Sequence, residues 1–198
     1  MIKIQGIKTV LRDWQLADLG SYGHWLRPGH QWRNFDSPYY PGPSAADIPN
    51  IVIRARANIE AGCLSIPRLN LAVADHQTDE LIGMVNWYWI SKETNWLAMG
   101  IVIYNPKQWG QGIAYEALGL WCEYLWRELP TIVRLELRTW SGNHGMMRLA
   151  HKLGFLEESR FRKARIVNAA YYDAMGYGIL RDEWAQRYPA GFAAHLVQ

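Results

Sequence analysis

Runs of apolar residues along the chain predict seven β-strands. In residues 133–139, Val133, Leu135 and Leu137 alternate with charged side chains, which is the period of a strand with one buried face. Residues 96–104 are apolar throughout, as expected of a strand that is buried on both faces. The same reasoning predicts strands at residues 7–12, 69–74, 81–90, 155–166 and 171–180.

A helical period separates several of these strands. Ala114, Ala117, Leu118 and Trp121 recur on one face of a helix over residues 112–127. Further helices are predicted at residues 15–25, 45–62 and 143–153. Alternating strands and helices indicate one α/β domain over residues 1–198, with a mixed central sheet of about seven strands and about four helices.

Composition excludes several classes of protein. The formal net charge of +3 is too small to indicate a nucleic-acid partner. Cys63 and Cys122 form neither a CxxC pair nor a disulfide framework, and the six histidines lack HxxxH or HExxH spacing, so no metal site is expected. No apolar run approaches the roughly 18 residues of a membrane span, and the first residues do not resemble a signal peptide. We therefore expect a cytoplasmic protein without a membrane or nucleic-acid partner.

Two segments are candidates for ligand binding. Residues 27–50, here called the aromatic loop, combine Pro and Gly with Trp32, Phe35 and Tyr39, and long loops in compact domains often bind ligands. Within it, Asp36 could bind a substrate cation or cap a turn. Residues 130–165 carry a surplus of Arg and Lys, which suits an anionic small molecule or a solvated basic face.

The clearest chemical signal is the glycine loop, residues 109–114, which joins the apolar strand 96–104 to the helix 112–127. A helix N-terminus leaves several backbone N–H groups without partners, and the helix dipole adds positive potential there. Gly110 and Gly112 would let the backbone approach a pyrophosphate closely. The Lys-Ser/Thr ending of a Walker loop and the GxGxxG spacing of a Rossmann fold are both absent.

The sequence WGQGIAYEAL resembles the acyl-CoA pyrophosphate loop of the GNAT superfamily, with Gly112 and Ala114 at its two small positions. The block NHGMMRLAHKLGF, which begins at Asn143, resembles the family's second motif and follows at the family's separation. Trp109 replaces the usual Arg or Gln, as it does in the branch of ribosomal-protein N-terminal acetyltransferases. The similarity is clear over residues 69–184.

This resemblance implies a V-shaped cleft in which an amine attacks acetyl-CoA directly. The acceptor would be a protein N-terminus or a small-molecule amine, and the protein would be a monomer or a homodimer. Backbone N–H groups near Tyr104 would bind the thioester oxygen, and Asn143 would contact the pantetheine arm or the leaving sulfur. The residues expected to bind the cofactor are Val102, Ile103, Tyr104, Trp109, Gly110, Gln111, Gly112, Ile113, Ala114, Asn143 and Lys152.

The usual proton-handling residues of the family are replaced here. Ala150 and Met146 stand where a Tyr or Ser is common, and Ala98 stands where a carboxylate is common. His144 and Tyr172 are substitute candidates for handling the proton. Each could instead have a purely structural role. An α-amine of pKa about 8 needs only about 1.4 kcal/mol to lose its proton at pH 7, whereas a lysine-like amine needs about 4.6 kcal/mol. The missing base therefore favours an acceptor of low pKa, or a non-catalytic acyl-CoA-binding module.

Overall fold

Eight strands form one sheet in the described part of the chain, which comprises residues 1–62 and 65–197 of a computed structural model. The strands are β1 Lys3–Gln5, β2 Thr9–Arg12, β3 Asn70–Asp75, β4 Leu81–Ser91, β5 Trp96–Ile103, β6 Arg134–Trp140, β7 Leu156–Val167 and β8 Ala170–Leu180. Their order across the sheet is β1-β2-β3-β4-β5-β6-β8-β7. The predicted mixed α/β fold is confirmed; β1 is an addition, because three residues carry too short a pattern to predict a strand.

The sheet splits between β5 and β6, its parallel pair. Only Ala98 and Met99 of β5 pair with β6, opposite Glu136 and Leu137. Beyond this point β5 stays paired with β4 as far as Ile103, and β6 stays paired with β8 to its end. The two halves of the sheet therefore diverge and form the V-shaped cleft that the resemblance to the GNAT superfamily implies.

The helices cover both faces of the sheet. They are α1 Asp18–Trp25, α2 Ile48–Ala61, α3 Ile113–Glu128, α4 His144–Leu153, α5 Arg181–Arg187 and α6 Phe192–His195. The first four match the predicted helices, with ends that differ by at most three residues. The short helices α5 and α6 are additional. No described helix combines the length and the apolar character needed to cross a bilayer.

Alternation along the strands creates two separate apolar clusters. In β3, Leu71 and Val73 pack in the core that contains α3 and α4, whereas Ala72 lies in a cluster with Tyr22 and Trp25 of α1. Successive residues of a strand face opposite sides of the sheet, so α1 and α3 cover opposite faces. Cys122 is buried in the α3 core, and Cys63 lies outside the described residues.

Candidate functional site

The glycine loop lies at the mouth of the split between β5 and β6. It connects the end of β5 to α3, and Gly112 is the residue that precedes the helix. Gly110 and Gly112 both have positive φ angles, of 74° and 83°. Glycine adopts this left-handed conformation without the steric penalty of a β-carbon, so the path of the loop depends on these two residues.

The backbone N–H groups of residues 110–115 have no hydrogen-bond acceptor in the described part of the chain. The first bond of the helix in this region runs from the N–H of Glu116 to the carbonyl of Gly112. The preceding N–H groups include the unsatisfied donors of the first turn of α3, where the helix dipole is positive. This arrangement is suited to binding an anion with several oxygen atoms.

Lys8, the residue that precedes β2, adds a cation to the loop. Its Nζ donates to the carbonyl oxygen of Gln111 at 2.7 Å. The Gln111 side chain donates in turn to the carbonyl of Lys107 at 2.6 Å, which helps to hold the loop closed. Sequence reasoning missed Lys8, because it lies about a hundred residues before the loop and no local motif marks it.

Glu116 joins the beginning of α3 to β2. Its carboxylate is buried, and its Oε1 accepts hydrogen bonds from the Lys8 N–H at 2.8 Å, the Thr9 N–H at 2.8 Å and the Thr9 hydroxyl at 2.9 Å. A first-turn carboxylate can be explained by the helix dipole alone. The structure shows a more specific task, because this side chain fixes the N-terminus of α3 against the sheet.

The free backbone donors of β5 are not those expected at Tyr104. The Tyr104 N–H donates to the carbonyl of Ile82 at 3.0 Å, so it is already used within the sheet. Since N–H groups alternate in direction along a strand, those of Ile101 and Ile103 face away from β4 and toward the split. The Trp109 indole donates to the Ile103 carbonyl at 2.8 Å, which confirms this direction for Ile103.

The remaining β5 candidate, Val102, faces away from this donor row. It pairs with Met84 in the antiparallel ladder of β4 and β5, and its side chain packs in the apolar cluster of α1. The expectation that Tyr104 supplies a backbone donor to the cleft is therefore corrected to the neighbouring odd-numbered residues. The register between β4 and β5 decides which N–H groups of β5 bond to β4 and which face the split. A sequence pattern does not reveal that register.

Asn143 lies on the other side of the split, at the end of β6, and holds the aromatic loop. Its Oδ1 caps α4 by accepting the Met146 N–H at 3.0 Å, and its Nδ2 donates to the Phe35 carbonyl at 3.2 Å. The Trp140 indole donates to the same carbonyl at 3.2 Å. The Phe35 ring packs edge-on against Trp109, with 5.5 Å between ring centroids. Phe35 thus contacts residues from both sides of the split.

Three other predicted site residues lie around this arrangement. His144 is the first residue of α4 and is exposed to solvent. The Tyr172 ring packs edge-on against Trp140, at a centroid distance of 4.8 Å. The Lys152 ammonium lies 4.4 Å from the centre of the Tyr115 ring, near the first turn of α3. The structure brings Tyr172 close to the split and leaves His144 on the surface; the roles of all three residues stay predictions.

One ionisable group in the aromatic loop, Asp36, and one packed against the loop, Tyr104, have raised pKa values. The surrounding protein partly desolvates the Asp36 carboxylate and raises its pKa, although the residue stays exposed to solvent, and the nearby Arg33 opposes that rise. Burial also raises the pKa of the Tyr104 phenol well above its usual value, and the charges of Tyr22 and Asp36 add to the effect. Desolvation of this kind penalises the charged form of each group.

Comparison with known proteins agrees with this geometry. The acetyltransferase (GNAT) domain family matches residues 8–156. Two curated relatives come from Bacillus subtilis (strain 168). The SPbeta prophage-derived uncharacterized N-acetyltransferase YokL is 25% identical over 112 residues, which cover 57% of this chain and 62% of YokL. YdaF, for which ribosomal N-acetyltransferase activity is proposed, is 28% identical over 127 residues, covering 64% of this chain and 61% of YdaF. The chain thus spans about three fifths of the length of these relatives.

Solved structures share the fold at low sequence identity. The spermidine N-acetyltransferase from Vibrio cholerae, solved with CoA and spermine, superposes with a TM-score of 0.70 at 19% identity, over 89% of this chain and 98% of that one. A GNAT acetyltransferase from Bacillus anthracis gives a TM-score of 0.69 at 18% identity, over 91% and 99%. With the family match over more than half of its length, a split sheet and a glycine loop at the mouth of the split, this chain belongs to the GNAT family of acetyltransferases.

Proposed function

We propose that this protein transfers an acetyl group from acetyl-CoA to a primary amine, by direct attack of the amine on the thioester. The row of unpartnered N–H groups at residues 110–115 carries this proposal, because it suits a pyrophosphate and lies at the mouth of the split. Lys8 adds a positive charge beside the same loop. Family membership supports acyl transfer as the reaction class.

The residues present fit an acyl-CoA. The N–H groups of residues 110–115 and the Lys8 ammonium would hold the pyrophosphate. The N–H groups of Ile101 and Ile103 would hydrogen-bond the pantetheine arm and the thioester oxygen along the open edge of β5, where such donors stabilise developing negative charge. Acetyl-CoA supplies the acetyl group as an activated thioester. The thiol of the CoA that is released has a pKa of about 8.5, so departure of the CoA thiolate needs little help from an acid at neutral pH.

An α-amine at a peptide N-terminus is the acceptor that this site favours. Ala98 and Ala150 are buried and stand where the family often has its proton-handling residues, so a strong general base is not evident there. An α-amine loses its proton at about a third of the free energy that a lysine-like amine requires. The similarity to YdaF, for which a ribosomal substrate is proposed, points in the same direction.

Thiol release tests this proposal. Purified protein would be incubated with acetyl-CoA and a panel of N-terminal peptides and small amines, and the free CoA thiol would be quantified against a no-acceptor control. We expect amine-dependent release, with peptides of free N-terminus preferred over the same peptides blocked by N-terminal acetylation. Binding of acetyl-CoA without release on any amine would instead indicate a non-catalytic acyl-CoA-binding module.

Asn143→Ala should lower turnover by at least tenfold while lowering the free energy of unfolding by only about 1 kcal/mol, the usual loss of a helix cap. The larger effect on turnover is expected because the amide also holds Phe35 across the split. Asn143→Asp is the matched control: it keeps the capping oxygen and removes the amide donor. We expect it to be nearly as stable as the native protein and as slow as the alanine variant. Native turnover in both variants would remove Asn143 from the site.

A further inference from the structure

A cavity of about 300 Å³ lies between the aromatic loop and the turn that joins β7 to β8. Trp32, Asp36 and Tyr40 line it from the loop, and Asn168 lines it from the turn. The backbone at Asn168 has a φ of 50°, as tight hairpin turns require. The cavity thus has walls from two distant parts of the chain, on the side of the sheet that α1 covers.

Asp36 brings an unpaired negative charge to this cavity. Its carboxylate forms no hydrogen bond or ion pair with any of the described residues, although it stays accessible to solvent. Arg33, the other charged residue of the lining, directs its guanidinium to the carbonyls of Leu26 and Pro43, at 2.6 and 3.3 Å. Partial desolvation raises the pKa of Asp36. A carboxylate in such a site attracts a cation more strongly than one in bulk water does.

The Tyr104 hydroxyl is a second polar group without a partner. The side chain is 1% exposed, and its oxygen has no hydrogen-bond partner among residues 1–62 and 65–197. The Tyr104 ring packs 5.4 Å from the ring of Trp32, which also lines the cavity. Asp36 lies close enough for its charge to act on the Tyr104 phenol. Tyr104 lies behind Trp32 and is not part of the cavity lining, so its hydroxyl is not a ligand contact.

The aromatic rings complete a site for a positively charged group. The indole of Trp32 and the phenol ring of Tyr40 lie in the same lining as the carboxylate. Aromatic faces attract ammonium groups, and the attraction is stronger where water is partly excluded. A carboxylate next to aromatic rings favours an organic cation, with its charge near the carboxylate and its apolar or aromatic part against the rings. Anions and neutral polar molecules are expected to bind less well.

We propose that Asp36 binds a cationic group of the acceptor in this cavity, a group other than the neutral amine that attacks the thioester, and thereby makes the protein selective for acceptors that carry a second positive charge. This inference rests on the proposed acetyl transfer to amines and names the residue that selects the acceptor. Asp36 acts here by binding the acceptor's charge. Trp32 and Tyr40 contact its apolar part.

Binding is measured first, with CoA present at saturation. The probes are 2-phenylethylamine and butylamine, each compared by calorimetry with the neutral alcohol of the same shape, 2-phenylethanol or butanol. We expect the native protein to bind the amines at least tenfold more tightly than the alcohols. Asp36→Asn should abolish this preference, whereas Asp182→Asn, which changes an exposed aspartate of α5, should retain it.

The acetyl-CoA-induced rise in melting temperature shows whether Asp36→Asn leaves the rest of the protein intact. An unchanged rise, together with a loss of preference for the amines, supports the inference. Equal binding of amine and alcohol by the native protein, or an unchanged preference in Asp36→Asn, overturns it. Thiol release tests the proposed function separately. Asp36-dependent amine binding without release on any acceptor would retain the cation site and reject acetyl transfer.

Discussion

Replacing Glu116 with alanine is expected to lower the free energy of unfolding by about 3 to 5 kcal/mol, because three donors on Lys8 and Thr9 lose their common acceptor. The Thr9 donors are buried and cannot turn to solvent without opening the contact between β2 and α3. In a chain of this length each kcal/mol corresponds to about 2 to 4 °C, so the melting temperature should fall by roughly 6 to 20 °C. Thermal unfolding followed by circular dichroism measures the change.

Two variants control this experiment. Glu116→Gln keeps one oxygen that can accept hydrogen bonds but removes the charge, and should lie between the native protein and the alanine variant. Glu60→Ala removes an exposed glutamate of α2 whose contact with Arg56 is a surface ion pair at 3.8 Å, and should change stability by less than about 0.5 kcal/mol. If Glu116→Ala melts at the same temperature as Glu60→Ala, the bonds to β2 do not hold α3 in place.

Gly112→Val is expected to weaken acetyl-CoA binding at least a hundredfold. A valine here meets two obstacles: the φ of 83° is strongly unfavourable for a β-branched residue, and the new side chain stands among the free N–H donors of the loop. A β-carbon at this position would lie 3.6 Å from the Lys8 ammonium, on the side where an anion would be bound. Titration calorimetry with acetyl-CoA measures the loss.

Backbone strain alone is controlled by Gly62→Val. Gly62 ends α2 with a φ of 61°, and a β-carbon there meets no atom within 4 Å among the described residues. Both variants should be less stable than the native protein, but only Gly112→Val should lose acetyl-CoA. Native affinity in Gly112→Val would contradict the assignment of the glycine loop.

Much of the fold follows from local sequence patterns. The strands from β3 to β8 are predicted because apolar alternation or continuous apolar runs reach over five residues or more, and α3 is predicted by its apolar face. The glycine loop is also a local feature, since a strand, two glycines and a helix start follow one another in the sequence. Short elements such as β1 and α6 are missed, because three or four residues do not define a period.

The long-range parts of the site do not follow from the sequence. Glu116 and Thr9 are 107 residues apart, and nothing near either residue shows that one binds the other. Asp36 is visible as a charged residue in the aromatic loop, but the cavity around it depends on a turn more than a hundred residues later. Which N–H groups of β5 are free depends on its register with β4: the sequence predicted Val102, Ile103 and Tyr104 together, and the structure leaves the Ile103 N–H facing the split while the Tyr104 N–H bonds to Ile82.

The most direct test of the account is the melting temperature of the native protein with acetyl-CoA, with CoA and with ATP as a phosphate-bearing control. At about a hundred times the dissociation constant, a ligand stabilises the folded state by about 2.7 kcal/mol. Acetyl-CoA and CoA should each raise the midpoint by about 5 to 10 °C, and ATP should leave it unchanged. No rise with acetyl-CoA and CoA, or an equal rise with ATP, would contradict an acyl-CoA site at residues 109–114.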